Sequence, residues 1–321
     1  MTISPAKPRL EARPAAPRRP RARRRRSPLT WIRAGGLGAV VFLLPMLFVF
    51  GLFSWLPIGQ AVVMSFQQTN LVSDPVFVGL DNFRTVLSDP LLWTAVQNTL
   101  WFAVLALLLG YPIPLVAAVL MSEVRRFRGL YSALAYLPVV IPPVVAVLLW
   151  KFFYDARPEG LLNALLHTVG LGPWPWLQDS STAMVSLVLE ATWAAAGGTV
   201  VIYLAALTSV PPELYEAAEI DGASVWRKVR HVTLPHLRGV LLITFILQIV
   251  GTAQVFLEPF LFTGGGPAHA TTTILLLIYN YAFADSLGGD YGAATALSLM
   301  LAVVLGALSA LYFRLTRSWS T

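Results

Sequence analysis

The sequence predicts an all-α protein embedded in a membrane, and two observations lead to that fold class. Hydrophobic residues make up 56% of the 321 residues and charged residues only 12%, whereas soluble domains carry about 25% charged residues. Six stretches are apolar for long enough to cross a bilayer, which takes about 20 residues per helix. We therefore expect an integral membrane helical bundle with six transmembrane helices, since membrane β-barrels use alternating strands of about ten residues.

The six predicted spans follow one another along the chain with short polar connections. They are residues 36–56, 96–121, 130–150, 183–207, 240–262 and 292–313. A seventh apolar stretch, residues 270–284, has only about 15 residues and begins with three threonines, so we expect it to lie at the interface or to re-enter rather than to span.

The N-terminal segment differs from the rest of the chain. Between Lys7 and Arg33 it holds eleven basic residues and a single acid, Glu11, interspersed with prolines. Such a composition cannot bury a core, so residues 1–33 are predicted to be a disordered cytoplasmic tail and residues 34–321 the transmembrane domain. Because an apolar span follows at once, we expect the tail to contact membrane lipid and not nucleic acid.

The distribution of basic residues predicts the orientation, because cytoplasmic loops are enriched in Lys and Arg. With the tail inside, twenty of the 23 basic residues fall in inner segments and eight acidic residues fall in outer ones. The three outer basic residues are Arg84, Lys151 and Arg157. Both termini are therefore predicted to be cytoplasmic.

Several kinds of chemistry lack the residues they need. The chain has no cysteine, its four histidines include no i, i+4 pair, and neither His-Glu-x-x-His nor Gly-x-Ser-x-Gly occurs. Lys7, Lys151 and Lys228 do not follow a glycine, so there is no Walker A loop for ATP. The sequence therefore predicts no catalysis, no metal site and no cofactor in this chain.

The polar stretch 211–235 between the fourth and fifth predicted spans contains two short helical patterns. The first runs over 212–220, with Pro212 and Glu213 at its start and Gly222 as its stop. The second runs over about 223–232, and Pro235 is expected to limit it. Two short helices at the membrane face suit docking into a groove of another protein.

This stretch resembles the EAA loop in permease subunits of binding-protein-dependent ABC importers. The resemblance rests on the Glu-Ala-Ala triplet, an Asp-Gly-Ala that follows at the family's spacing, and a closing Leu-Pro. It implies that the loop docks the ATPase subunit through Glu213, Glu216, Ala217, Ala218, Asp221, Gly222, Ala223, Leu234 and Pro235.

Two further segments resemble sugar permeases of the maltose and glycerol-3-phosphate type: Thr-Gly-Gly-Gly-Pro at 263–267 followed by three threonines, and Gly-Leu-Leu-Asn-Ala-Leu-Leu at 160–166. The family implies a multi-pass subunit of the bacterial plasma (inner) membrane that carries a sugar. Its implied partners are a second permease subunit, two copies of an ATPase that binds ATP and Mg, and an extracytoplasmic solute-binding protein.

Polar residues on the two spans that flank the loop are candidates for the substrate pathway. They are Glu190 and Trp193 on the fourth span, and Gln248 and Thr252, at i, i+4, on the fifth. Polar groups there equally well form hydrogen bonds between helices. An ion-coupled secondary transporter or a channel is the alternative function, although such proteins usually carry more ionisable groups at membrane depth than the two here, Glu190 and Glu258.

Overall fold

The computed structural model describes residues 37–123, 128–284 and 289–316, and most of these residues are helical. The predicted tail 1–33, Arg125, Arg126, Arg317 and Asp285 lie outside the described residues. The described residues divide into two compact units, one that ends at residue 58 and one that starts at residue 59. The all-α fold class is confirmed.

The first apolar segment is longer than predicted. Helix α1 (Leu37–Phe50) passes through a π-helical turn (Gly51–Trp55) into α2 (Leu56–Met64). Residues Val40–Met64 form a continuous apolar helix of 25 residues. At about 1.5 Å rise per residue, this is more than the roughly 30 Å thickness of a bilayer core.

After the end of α2, the second unit contains a small hairpin and continues as a helical bundle. Strands β1 (Gln67–Gln68) and β2 (Val76–Phe77) pair antiparallel. The helices are α3 (Asp81–Ser88), α4 (Pro90–Leu105), α5 (Pro112–Glu123), α6 (Arg128–Val140), α7 (Pro143–Phe153), α8 (Leu161–Thr168), α9 (Ser180–Leu207), α10 (Pro212–Ile220), α11 (Val225–Lys228), α12 (Leu234–Ala253), α13 (Ile274–Phe283) and α14 (Tyr291–Thr316). Further π-helical turns are Ala106–Gly110, Val229–Thr233 and Pro259–Thr263.

Helix α9 is the centre of this bundle, because its residues contribute to two of its buried apolar clusters. Met184 and Leu187 pack with Phe102 and Val147 in one cluster, and Tyr203 packs in another. The helix begins at an N-cap in which Asp179 accepts a hydrogen bond from the Ser181 amide at 2.8 Å. The Ser181 hydroxyl also donates to this carboxylate, and the two hydrogen bonds hold the pKa of Asp179 below its usual value.

The third predicted span is bent. Helices α6 and α7 meet at an angle of 98°, with the break at Ile141 and Pro142. Consecutive prolines cause it, since Pro142 and Pro143 both lack an N–H and a residue that precedes proline favours extended backbone. The described residues thus contain five helices long enough to cross a bilayer, and six spans if the bent pair crosses as one.

The fifth predicted span was placed wrongly at both ends. Its helix starts at Val225, before the predicted Val240, and stops at Ala253 instead of continuing to Phe262. The seventh apolar stretch is helix α13 of ten residues, which at about 1.5 Å per residue is too short to span. Its position relative to the membrane stays a prediction.

Candidate functional site

A cleft of about 440 Å³ opens between helices α4, α5, α9 and α12. Its walls combine apolar side chains with a few hydrogen-bonding groups, as small-molecule sites generally do. The polar lining residues are Thr192, Thr199, Gln248, Thr252, Gln254 and Glu258.

Small residues allow the helices to approach one another at this cleft. Gly110 ends the π-helical turn between α4 and α5, and a Cβ on it would lie 3.1 Å from Thr192 Oγ1 and 3.5 Å from Gln248 Nε2. On α9, the wall of the cleft has only small side chains at Ala195 and Ala196. Three helical segments that are distant in sequence therefore meet where the Thr192 hydroxyl and the Gln248 amide lie close to Gly110.

The end of α12 closes the cleft with residues that the sequence did not indicate. The helix stops at Ala253, and residues 254–256 form an irregular segment before the chain becomes helical again at Leu257 and runs into the π-helical turn that starts at Pro259. Thr273 Oγ1 donates to the Val255 carbonyl at 3.0 Å and fixes this segment from the following loop. The break turns Gln254 and Glu258 toward the cleft. Pro259 was the available signal, since proline disfavours a helix that continues through it.

Two of the four predicted pathway residues line the cleft. Gln248 is half-buried, and Thr252 is 6% exposed with its hydroxyl donating to the Ile249 carbonyl at 3.0 Å. Polar residues in membrane helices can line a pathway or form hydrogen bonds that stabilise the helices. Thr252 does both, because it lines the cleft and its hydroxyl donates to a carbonyl of its own helix.

The other two predicted pathway residues lie outside the lining of the cleft. Trp193 packs its ring against Trp150, with ring centroids 5.6 Å apart. Glu190 is 2% exposed, and its Oε2 has no hydrogen-bond partner among the described residues. Residues 193 and 190 point away from the cleft because a helix turns about 100° per residue, whereas Thr192 and Ala195 of the same helix face it.

The coupling loop, residues 211–235, has the predicted first helix with the predicted bounds. Helix α10 carries Glu213 in its first turn and Glu216, Ala217 and Ala218 in its middle. The Ala223 amide donates back to the Ala218 carbonyl at 2.9 Å, across Gly222 with φ of +68°. A left-handed residue at this point explains the glycine, because a Cβ disfavours that conformation.

The second helix of the loop differs from the prediction. Ser224 caps α11, which continues through the π-helical turn Val229–Thr233 directly into α12, so Pro235 lies in the first turn of α12 rather than ending a helix. The physical reason is the wider turn, in which the Leu234 amide donates to the Val229 carbonyl and the helix accommodates a proline without its N–H. Leu234 and Pro235 therefore belong to the base of the fifth span.

Side chains connect α10 to that base across the Gly222 turn. Lys228 Nζ lies 2.9 Å from Glu219 Oε1, with the Lys228 side chain only 13% exposed. The Tyr215 hydroxyl lies 3.0 Å from Thr233 Oγ1. These contacts border a groove of about 350 Å³ that Glu123 and Glu216 also line. Helix α10 is thereby attached to the start of a membrane-spanning helix.

The outward side of the coupling loop exposes large apolar side chains. Trp226 is 70% exposed and Ile220 is 87% exposed, and Leu214 and Val225 accompany them. Glu213, Glu216 and Arg227 are exposed on the same loop. Exposed apolar side chains ringed by charges are typical of a surface that binds another protein.

No metal centre is formed by the residues that the structure describes, which contain no group of three or more His, Cys, Asp or Glu arranged to hold an ion. The cleft and the coupling loop are therefore the two candidate functional regions.

Comparisons with known proteins agree with this arrangement. The family model described as "Binding-protein-dependent transport system inner membrane component" matches residues 110–320. The arabinooligosaccharides transport system permease protein of Halalkalibacterium halodurans is 34% identical, over 85% of this chain and 86% of its own length. The trehalose/maltose transport system permease protein of Thermococcus litoralis is 31% identical, over 86% of this chain and 92% of its own length.

A solved structure matches over nearly the whole chain. It belongs to a bacterial ABC transporter involved in the import of the acidic polysaccharide alginate, and it has 26% sequence identity and a TM-score of 0.78, covering 90% of this chain and 98% of that chain. With a family model over residues 110–320 and relatives above 30% identity, the chain belongs to the family of binding-protein-dependent transport system inner membrane components.

Proposed function

We propose that the chain is a permease subunit of an ATP-driven importer and that it moves a saccharide through the cleft beside α9 and α12. The observation that supports this proposal most strongly is the lining of the cleft, in which amide and hydroxyl groups lie beside apolar side chains. Sugars present both hydroxyl groups and apolar ring faces, so this combination suits them. The relatives named for arabinooligosaccharides and for trehalose and maltose support a saccharide.

Within the pathway, Gln248 and Thr252 contact the solute from α12. Trp193 and Glu190 lie outside the lining and do not contact the solute. Trp193 supports the wall of the cleft by packing against Trp150. The cleft is open on one side, which suits a pathway completed by a second permease subunit.

The coupling loop docks an ATPase subunit. Helix α10 presents Glu213, Glu216 and the neighbouring alanines, and the exposed Trp226 and Ile220 supply apolar contact area. ATP and Mg bind to two copies of the ATPase, and this chain contributes no catalytic group or cofactor. An extracytoplasmic binding protein delivers the solute, as the family description implies.

Both termini face the cytoplasm in this proposal, with the coupling loop on the same side. The distribution of basic residues supports this orientation, because twenty of the 23 fall in the segments that it places in the cytoplasm. The chain lacks cysteine, so cysteines introduced at Asp89 and Asp179 should react with an impermeant reagent from outside, and ones at Arg125 and Arg227 should not. The opposite labelling pattern would reverse the orientation.

The function is tested with the whole transporter in proteoliposomes. The chain, its partner permease and the ATPase are reconstituted, and the cognate binding protein is added with the saccharide that co-purifies with it. Uptake should require ATP, the ATPase subunit and the binding protein together. Uptake driven by an ion gradient without ATP would instead favour a secondary transporter.

A further inference from the structure

The described lining of the cleft carries charge of one sign only. The described residues that line it include one carboxylate, Glu258, and no Lys, Arg or His. Every other polar group in the lining is an uncharged amide or hydroxyl. A single fixed charge in a passage with apolar walls acts more strongly than it would in open water.

Glu258 has no counter-ion among the described residues. The ion pairs found there are Arg84 with Asp81, Arg157 with Asp155, and Lys228 with Glu219. The nearby Lys151 directs its ammonium group to the Leu261 carbonyl, at 3.2 Å, and lines a different cleft.

The position of Glu258 is fixed by the backbone. It directly precedes Pro259 at the start of the π-helical turn, and the hydrogen bond from Thr273 to Val255 holds the same segment. The carboxylate therefore lines the cleft beyond the point where α12 has ended. A charge held there acts on any solute that occupies the cleft.

We propose that Glu258 is a specificity-determining residue that restricts this cleft to uncharged saccharides and rejects anionic ones such as uronates and sugar phosphates. The proposal rests on the proposed function of the cleft as the saccharide pathway. Carboxylate and amide oxygens accept hydrogen bonds from sugar hydroxyls, whereas an anionic group meets an unneutralised like charge. The alginate importer has the same fold and handles an acidic polysaccharide, so side chains and not the fold decide the charge of the solute.

The charge effect is measurable without knowing the natural saccharide. In the assembled transporter, Ala195→Cys places a thiol on an exposed position of the cleft wall in a chain that has no other cysteine. The rates of its reaction with methanethiosulfonates of matched size, one bearing an ammonium and one a sulfonate group, are compared. Glu258→Gln should lower the ratio of cationic to anionic rate by about ten-fold, the smaller end of what a focused potential does to local ion concentration.

Two controls make the result specific. Thr85→Cys on the exposed face of α3, far along the chain from the cleft residues, should give the same ratio with Glu258 and with Glu258→Gln. Gln248→Cys repeats the measurement at a second cleft position in case Ala195→Cys does not assemble. An unchanged ratio at reactive cleft thiols would overturn the role of Glu258 and leave the pathway intact, whereas no reaction at either cleft position would contradict the pathway itself.

The substrate class has a separate test. The solute released from the cognate binding protein is identified by mass spectrometry, and an uncharged saccharide is expected. An anionic saccharide would overturn this proposal while saccharide import still stands, and a solute that is no saccharide would overturn both.

Discussion

The coupling loop and the cleft differ in how the chain builds them. The loop is local: helix α10, the turn at Gly222 and helix α11 follow one another within 211–235. The cleft assembles Gly110, Thr192 and Gln248 from helices far apart in sequence. Local elements can be recognised from residue order, since caps and turn residues act on their immediate neighbours, whereas a cleft depends on which helix faces meet.

The largest effect is expected in the coupling loop, from Gly222→Pro. Proline fixes φ near −65°, whereas this residue has φ of +68°, so the turn and the start of α11 should be lost. Affinity for the ATPase subunit should fall by about 2 kcal/mol or more, the scale of a hot-spot contact. Binding is measured with the purified subunit, together with the ratio of solute moved to ATP hydrolysed.

Gly239→Ala is the matched control for this change, because a Cβ at that exposed helical glycine meets nothing within 4 Å. Glu216→Lys tests the docking surface independently by reversing a charge on α10, and it should also weaken binding. Full affinity and unchanged transport in both Gly222→Pro and Glu216→Lys would show that the loop is not where the ATPase docks.

Two adjacent glycines of α9, Gly197 and Gly198, have the same local sequence context but different tertiary contacts. On α9, a Cβ at Gly197 would lie 2.1 Å from the Ala135 carbonyl oxygen of α6, whereas one at Gly198 meets nothing within 4 Å. Gly197→Ala should force α6 and α9 apart and destabilise the protein by about 1–3 kcal/mol. Gly198→Ala should be neutral or should stabilise by up to about 1 kcal/mol, since alanine favours a helix.

Thermal unfolding of the two variants in the same detergent measures this difference. Equal unfolding temperatures for Gly197→Ala and Gly198→Ala would mean that α6 and α9 do not approach as closely as the structure shows.

The cleft is tested by changing Gln248 and Thr252 to leucine. The double variant removes hydrogen-bonding groups from the lining without adding charge, and each lost bond to a solute is expected to cost about 0.5–1.5 kcal/mol. Uptake should slow while assembly with the ATPase is retained. Gln248→Leu should account for most of the loss, because the Thr252 hydroxyl is already bonded to the Ile249 carbonyl.

Trp193→Leu is the informative companion in the same uptake assay. Trp193 lies outside the cleft lining, so we expect this change to affect stability more than the apparent affinity for the solute. A larger loss of solute affinity in Trp193→Leu than in Gln248→Leu would place the pathway on the other face of α9.

The smallest effect is expected from Tyr215→Phe. It removes the hydroxyl that meets Thr233 and so loosens α10 from the base of the fifth span, at a cost of about 0.5–1.5 kcal/mol. Coupling of ATP hydrolysis to uptake should fall slightly while the spans stay folded. Tyr131→Phe, at an exposed tyrosine of α6, is the control, and an equal effect of both changes would mean that the contact does not transmit motion.

The sequence by itself determined the membrane-embedded helical class, most of the span positions, helix α10 and the left-handed glycine after it. Apolar length and cap residues carry this information because each acts within a few residues of its own position. It also placed Gln248 and Thr252 on one helical face, from their spacing alone.

Only the tertiary structure decided which polar residues meet. Glu190 and Trp193 share a helix with Thr192, yet only Thr192 faces the cleft, because the rotation of α9 is set by its packing against neighbouring helices. The early end of α12, which brings Gln254 and Glu258 to the cleft, depends on the contact from Thr273, 18 residues from Val255. The continuation of α11 through Pro235 depends on a π-helical turn, in which the change of hydrogen-bond partners overcame the helix-breaking tendency of proline.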